Sequence, residues 1–372
     1  VNTRRPDVAI VGAGIVGAAC AEALSAGGLS VEVFESNFEG SGATGSAMGH
    51  LVVLDDSEAE FALSALSRRL WEEITPQLPR EVEDTPAGTL WIAADEEEMS
   101  RVRSRAAYYR ARGVPAEVLD GRALAAAEPN LRPGLAGGLR VPGDRVLYPP
   151  AAAGWLLDRA LEKGGRLHRG EEVLEIGEGF VRTASGRTEA GEILVAAGNG
   201  TPALLPGVAV VPKKGHLVIT DRQPGFCRHQ LIELGYQKSA HGAARESVAF
   251  NLQPRATGQL LLGSSRELVG LDPAVNRRLV ARMVRRALEY VPGLARLAAT
   301  RIWTGFRPAT PDNLPHIGRW PALTGVWVAA GHEGLGITTS LGTARLLTDL
   351  LLGRPPVIDP MPYDPARSVA DA

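Results

Sequence analysis

Gly12, Gly14 and Gly17, followed by Glu35, are the residues of this chain whose types and spacing carry the most chemistry. Gly12 lets a chain turn sharply off a strand, and Gly14 lets backbone N–H groups approach a pyrophosphate with no Cβ in the way. Gly17 lets a helix pack closely on a sheet, while the helix N-terminus faces the phosphate charge. A carboxylate at Glu35 can hold a ribose hydroxyl pair and repels a 2′-phosphate. A second chemically loaded stretch lies near the other end, where the apolar run 325–330 enters Gly331-His-Glu-Gly-Leu-Gly336 and then a helical stretch reaching 352.

The elements needed to position these residues are present in order. The apolar run 8–11, an Ala-rich helical stretch and the strand 31–35 form a strand–glycine turn–helix–strand unit, which predicts dinucleotide binding. The small-residue loop 41–50 follows at once, bringing bare backbone, Ser41 and Thr44 towards a flat ligand. Periodicity predicts helices over 57–78, 96–112, 151–163 and 276–290, and a strand over 89–94. Strand signals at 167–176, 180–183 and 192–196 are separated by turns at Glu178-Gly179 and Ser185-Gly186, and the last runs into Ala197-Gly198. Further strands are expected at 214–221 and within 247–264. Glycine turns suited to cofactor contact therefore recur at Gly42, Gly198 and Gly331, as a long cofactor threaded through a discontinuous domain would require.

Composition narrows the classes of function. A chain of 372 residues has room for two domains, and its net charge of −2 gives no electrostatic reason to expect nucleic acid or an anionic membrane as partner. Arg277, Arg278, Arg282, Arg285 and Arg286 read as the solvated face of one helix. Cys20 and Cys227 are too far apart in sequence to form a metal or redox motif, and no metal site is expected. No run is long and apolar enough to span a membrane. With the fingerprint so near the first residue, the expectation is that no signal precedes it and that the location is cytoplasmic.

The chain resembles the D-amino-acid oxidase and glycine oxidase family of FAD-dependent oxidoreductases. Five motifs carry the resemblance: Val11-Gly-Ala-Gly-Ile-Val-Gly17, Gly42-Ala-Thr-Gly-Ser-Ala-Met-Gly49, Val195-Ala-Ala-Gly198, Trp303-Thr-Gly-Phe-Arg-Pro-Ala-Thr-Pro-Asp312 and Gly331-His-Glu-Gly-Leu-Gly-Ile337. Within the family, Gly49-His-Leu-Val-Val-Leu-Asp-Asp56 and the stretch 251–266 resemble the branch of D-hydroxyproline dehydrogenase and glycine-oxidising hydrogen cyanide synthase flavoproteins.

The resemblance implies an α/β and α+β architecture. A discontinuous Rossmann-like FAD-binding domain (1–85, 147–212 and 318–372) would be joined to a substrate-binding domain (86–146 and 213–317) built on a mixed, largely antiparallel sheet. It places Gly12, Gly14, Ile15, Val16, Gly17, Glu35, Ser36, Gly42, Ala43 and Thr44 along the adenosine and pyrophosphate of FAD, and Val173 near the adenine. Met48, Gly49 and His50 would lie near the flavin ring, with Ala197 and Gly198 also on the cofactor. His332, Glu333, Gly334, Leu335, Gly336 and Ile337 would lie beneath its pyrimidine. Some relatives hold FAD through a cysteine in the C-terminal half; none follows Cys227, so noncovalent FAD is expected.

In the chemistry so implied, the flavin removes a hydride from the carbon bearing nitrogen and water hydrolyses the resulting imine to an oxo acid and an amine. The substrate would be a small amino acid or N-substituted glycine, and no obligatory protein acid or base is named. Arg307 matches the family's carboxylate-binding arginine, and a guanidinium holds a carboxylate through two parallel hydrogen bonds. His50, Asn251, Glu333 and Gly334 complete the expected substrate wall. Asn251 and Gly334 stand where glycine oxidases carry a tyrosine and an arginine, a departure that leaves space for a larger amine substituent. The electron acceptor is O₂ or a partner protein, the latter if the chain is the flavin subunit of a multi-subunit dehydrogenase, so either a homo- or a hetero-oligomer is compatible. A biosynthetic enzyme cleaving an N-carboxymethyl amine to glyoxylate and a free amine is a third reading. A flavin monooxygenase is disfavoured by the absence of a late Gly-Asp motif.

Overall fold

The computed structural model describes residues 5–235 and 246–368. The outer ends of the expected segments 1–85 and 318–372, and residues 236–245 within 213–317, lie outside the described residues. Two large sheets organise the rest. The first has six strands in the order His316–Arg319, Val326–Ala330, Glu192–Val195, Val8–Val11, Val31–Glu35, Arg166–Arg169. All neighbours run parallel except the outermost pair, His316–Arg319 with Val326–Ala330. The first of these strands starts ahead of the crossing expected at 318.

The strands Val8–Val11 and Val326–Ala330 are apolar and buried at every position, as strands of a sheet covered on both faces are. The helix Ile15–Ala26 packs between the helices Pro149–Glu162 and Gly336–Leu351. Its small buried residues, Ala18, Ala19, Cys20 and Ala21, allow that crowding. The expected strand 167–176 divides in two. Arg166–Arg169 joins the parallel sheet, the chain turns at Gly170 (φ +75°), and Val173–Gly177 starts a three-stranded antiparallel meander with Phe180–Thr183 and Gly186–Glu189. The helix expected over 57–78 closes sooner, as Glu58–Ile74 followed by a 3-10 turn at Thr75–Gln77, because Pro76 supplies no N–H to continue it.

The second sheet has eight strands, ordered Ala299–Ala309, Val211–Thr220, Leu260–Glu267, Glu246–Pro254, Gln230–Glu233, Thr89–Ala93, Gly137–Val141, Glu117–Asp120. Only Gln230–Glu233 and Thr89–Ala93 run parallel; the sheet is mixed and largely antiparallel, as expected. The helix Arg277–Tyr290 covers one part of it with Val280, Met283 and Ala287 against Phe250, Leu252 and Leu262. Its arginines face outward, Arg282 and Arg286 reaching Glu246 and Glu233, which bears out a solvated face. The helix Glu96–Ala111 covers another part through Met99, Val102 and Tyr109. Among the described residues no helix is long and apolar enough to cross a membrane, and no group of His, Cys, Asp and Glu is arranged to hold a metal.

Candidate active site

A cavity of about 490 Å³ opens where the C-terminal ends of the parallel strands meet the edge region of the eight-stranded sheet. The parallel sheet contributes Val11 and Gly12, Phe34 and Glu35, Ala196 and Ala197, and Ala329 to Gly331, each at or just past a strand end. Ligands of open α/β sheets bind at that edge, since the loops there are free to shape a crevice. The opposite wall comes from the other sheet, through Gly215, His216 and Leu217, Asn251, Ser264, and Gly305 to Pro308.

At the first end the glycines have physical roles that the structure makes explicit. Gly12 has φ +103°, and a Cβ there would stand 2.6 Å from the Ala196 carbonyl oxygen. A Cβ on Gly17 would stand 2.0 Å from the Gly12 carbonyl oxygen, so this glycine admits the helix to the sheet. At Gly42 and Gly198, both at positive φ, an added Cβ would meet no protein atom within 4 Å, and the wall there is bare main chain. Glu35 is buried and already accepts from Ala13 N–H (2.8 Å) and Asn37 N–H (2.9 Å), which hold its carboxylate at the cavity edge. The Thr44 hydroxyl accepts from Ile15 N–H at 3.0 Å, tying the small-residue loop to the helix N-terminus.

Of the residues expected along a cofactor, Gly12, Gly14, Ile15, Val16, Glu35, Ser36, Gly42, Ala43, Thr44, Met48, Gly49, His50, Val173, Ala197, Gly198, His332, Glu333, Gly334, Gly336 and Ile337 all line this one cavity. Two do not. Gly17 sits behind the wall, in the helix–sheet contact just described. Leu335 caps the last helix, its carbonyl accepting from the Thr339 N–H and hydroxyl, rather than facing the cavity.

The other end is made of side chains. Arg307, on the strand Ala299–Ala309, donates through Nη1 to the Ser265 carbonyl oxygen at 3.1 Å. Its guanidinium lies against Gly215, where a Cβ would come within 2.7 Å of Nη1. No carboxylate of the described residues forms an ion pair with Arg307. The neighbouring cations are satisfied otherwise: Arg266 pairs with Glu333 (3.4 Å), buried Lys214 lies near Glu267 and Asp272, and Lys213 donates to Asn313. Asn251 and Gly334 both line the cavity, a Cβ on Gly334 coming 3.6 Å from the Arg307 side chain.

Among the described residues, three buried polar atoms on lining residues have no partner: His50 Nε2, Asn251 Oδ1 and Asn199 Oδ1. Buried polar groups are paired with few exceptions, so such a cluster marks where a ligand supplies the partner. Burial pushes His50 down to about 4; the Gln253 side chain favours the charged ring and Arg307 opposes it, leaving the ring neutral at physiological pH. His332 is pushed down to about 3 by burial and by His316, and its Nε2 meets the Thr343 hydroxyl at 3.0 Å, so it fastens the last loop to the last helix.

Sequence reasoning missed Gly215, His216, Ser264, Asn199 and Gly305. The buried His216 ring contacts the Ser265 hydroxyl through Nδ1 (2.9 Å) and accepts from Asn276 N–H through Nε2 (3.0 Å). Burial lowers its pKa, Glu267 counteracting and Lys214 and Arg307 reinforcing. The one signal available in sequence was paired glycines in two strand-like stretches: Gly215 and Gly305 face each other across adjacent strands.

Comparison with known proteins agrees with this geometry. The model of the DAO family, described as FAD dependent oxidoreductase, matches residues 7–350. A glycine oxidase of Geobacillus kaustophilus is 29% identical over 99% of this chain and 98% of its own length. A D-amino acid dehydrogenase of Cereibacter sphaeroides is 31% identical, over 73% of this chain and 62% of that protein. The crystal structure of the Geobacillus kaustophilus glycine oxidase has a TM-score of 0.87 at 28% identity, covering 97% of this chain and 98% of that one. L-proline dehydrogenase from P. horikoshii shares the fold, with a TM-score of 0.88 at 22% identity over 98% of each chain.

Proposed function

This chain belongs to the DAO family of FAD-dependent oxidoreductases, and from that footing we propose that it oxidises the C–N bond of a small amino acid or N-substituted glycine whose carboxylate is gripped by Arg307. The observation that carries the reading is the state of Arg307: a cavity-lining guanidinium, anchored on a carbonyl oxygen, with no carboxylate partner among the described residues. A cation so placed is under-compensated, and an incoming carboxylate completes it through two parallel hydrogen bonds that set position and angle together.

The cavity fits FAD. Bare backbone at Gly42 and Gly198, the N-terminus of the helix Ile15–Ala26 and the fixed Glu35 carboxylate suit its phosphates and ribose. Met48 to His50 and the N-terminus of the helix Gly336–Leu351 suit the ring end, where the helix dipole favours negative charge. FAD, when bound, supplies the two-electron acceptor for C–N oxidation. The protein's own task is orientation. Arg307 fixes the substrate carboxylate, Asn251 offers an unpaired acceptor, and neutral His50 can accept a hydrogen bond from the substrate nitrogen. Noncovalent FAD is supported by the cysteines: Cys20 and Cys227 are the two in the chain, both are buried, and neither lines the cavity.

Anaerobic flavin bleaching with glycine, sarcosine, D-proline, D-hydroxyproline and longer N-carboxymethyl amines tests the proposal. At least one should bleach the flavin, and failure of all of them would sink the amine reading. The likeness to D-amino acid dehydrogenases favours a partner acceptor as a second reading. Rapid H₂O₂ formation by the purified chain would exclude it.

A further inference from the structure

We propose that Glu333 is a specificity-determining residue. It sets a fixed negative charge beside the carboxylate grip, admitting amino acids whose remaining substituent is neutral or cationic and rejecting those with a second carboxylate. The inference rests on the reading of Arg307 given above and adds a restriction on substrate class.

Glu333 is held in place by both main chain and side chain. It is one of three non-glycine residues at positive φ among the described residues (φ +49°), a conformation that L-residues adopt at a cost and that clusters at functional sites. Its N–H donates to the Pro308 carbonyl oxygen at 2.7 Å, one residue past Arg307, so loop and strand are clasped beside the guanidinium. Its Oε2 accepts from Gly334 N–H and its Oε1 stands 3.4 Å from Arg266 Nη2. Burial pushes the carboxyl up, but Arg307, Arg266 and Lys213 outweigh it and hold the group below the usual carboxylate range, hence ionised.

A carboxylate serving only to neutralise Arg266 would not need this placement. Arg266 is itself buried and does not line the cavity, whereas Glu333 does. Among the described lysines and arginines, Arg307 is the one that lines the cavity: Arg266 pairs with Glu333, Lys214 lies near Glu267 and Asp272, and Lys213, bonded to Asn313, stands behind the wall with them. One substrate carboxylate completes Arg307, and a second would approach Glu333 in a site where like charges are poorly screened.

The test uses the FAD-loaded protein and isosteric pairs that differ by one charge: malonamate with malonate, and succinamate with succinate. Their affinities are read from the perturbation of the flavin absorbance, with no turnover needed. The wild-type protein should bind each monoamide at least about tenfold more tightly than the matching diacid, and the ratio should shrink as salt is added. Glu333→Gln should bring the ratio to within about threefold. Equal wild-type affinities, or a ratio unchanged in Glu333→Gln, would overturn the role of Glu333 while leaving the Arg307 grip intact. The salt series stands even if the variant fails to fold. Absence of binding by any of the four compounds would instead overturn the reading of Arg307, and this inference with it.

Discussion

At the end of the cavity bordered by the parallel sheet, the wall is main chain: Gly12, Gly42 and Gly198 at positive φ, with the carboxylate of Glu35 locked by backbone donors. At the end bordered by the eight-stranded sheet, the wall is side chains: Arg307, Asn251, His216 and Glu333, each from a different strand or loop. The first kind of wall accepts a ligand by removing atoms, the second by placing charges and acceptors. Damage to the first should cost the fold or the cofactor, and damage to the second should cost substrate recognition alone.

Gly17→Ala should have the largest effect. Its Cβ would sit 2.0 Å from a backbone oxygen in the helix–sheet contact, and neither partner is a flexible side chain. Destabilisation of about 3 kcal/mol or more is expected, read as a fall in melting temperature together with loss of bound flavin. Flavin content near wild type would break the comparison.

Arg307→Ala belongs to the other wall. It should retain flavin and melting temperature while kcat/KM for the amino acid falls about a hundredfold or more. Gly215→Ala sharpens the point, because the atoms it would strike are the movable end of Arg307. Steady-state kinetics should show kcat/KM reduced about tenfold or more by displacement of the guanidinium, with little change in melting temperature.

The smallest effects are those of pH on stability. Burial is the leading cause holding His50, His316 and His332 down to about 4, 4 and 3, against an ordinary 6.5. The unfolded chain binds protons at these sites below that ordinary value and the folded chain does not. Their stabilisation is therefore full above it and is lost as pH falls through the folded values. Asp144 acts in the opposite sense. Burial lifts its carboxyl from 3.8 to about 7, so its contribution is full below the lower value and is lost as pH rises through the higher. Melting curves should thus weaken on both flanks, and Asp144→Asn should raise the melting temperature at pH 8 by about 4 °C or less with no gain at pH 4. A gain at both would contradict the assignment.

The same contrast explains what was legible in the sequence. A main-chain wall needs glycines close together beside a strand and a helix, so Gly12, Gly14, Gly17 and Glu35 can be read as a unit. A side-chain wall is assembled by register. Gly215 meets Gly305, and Asn251 lies opposite Gly263, only once four strands are paired. Arg307 was legible through the motif around it, but the glycine beneath its guanidinium and the carbonyl that anchors it were not. The ionic setting of Glu333, with Arg266 and Lys213 behind it, was equally invisible, because those residues lie far from the last loop in sequence. The division of strand 167–176 was missed for a local reason: Gly170 turns the chain, and apolar pattern alone does not record φ.

The central claim is that Arg307 orients the substrate by its carboxylate. It is tested most directly by comparing anaerobic flavin reduction by the best amino acid found in the panel with reduction by its primary amide, in wild-type and Arg307→Ala proteins. The account predicts that the wild type prefers the acid by about a hundredfold or more and that the variant, still loaded with flavin, loses the preference. Equal reduction by acid and amide in the wild type, or a preference that survives in Arg307→Ala, would contradict it.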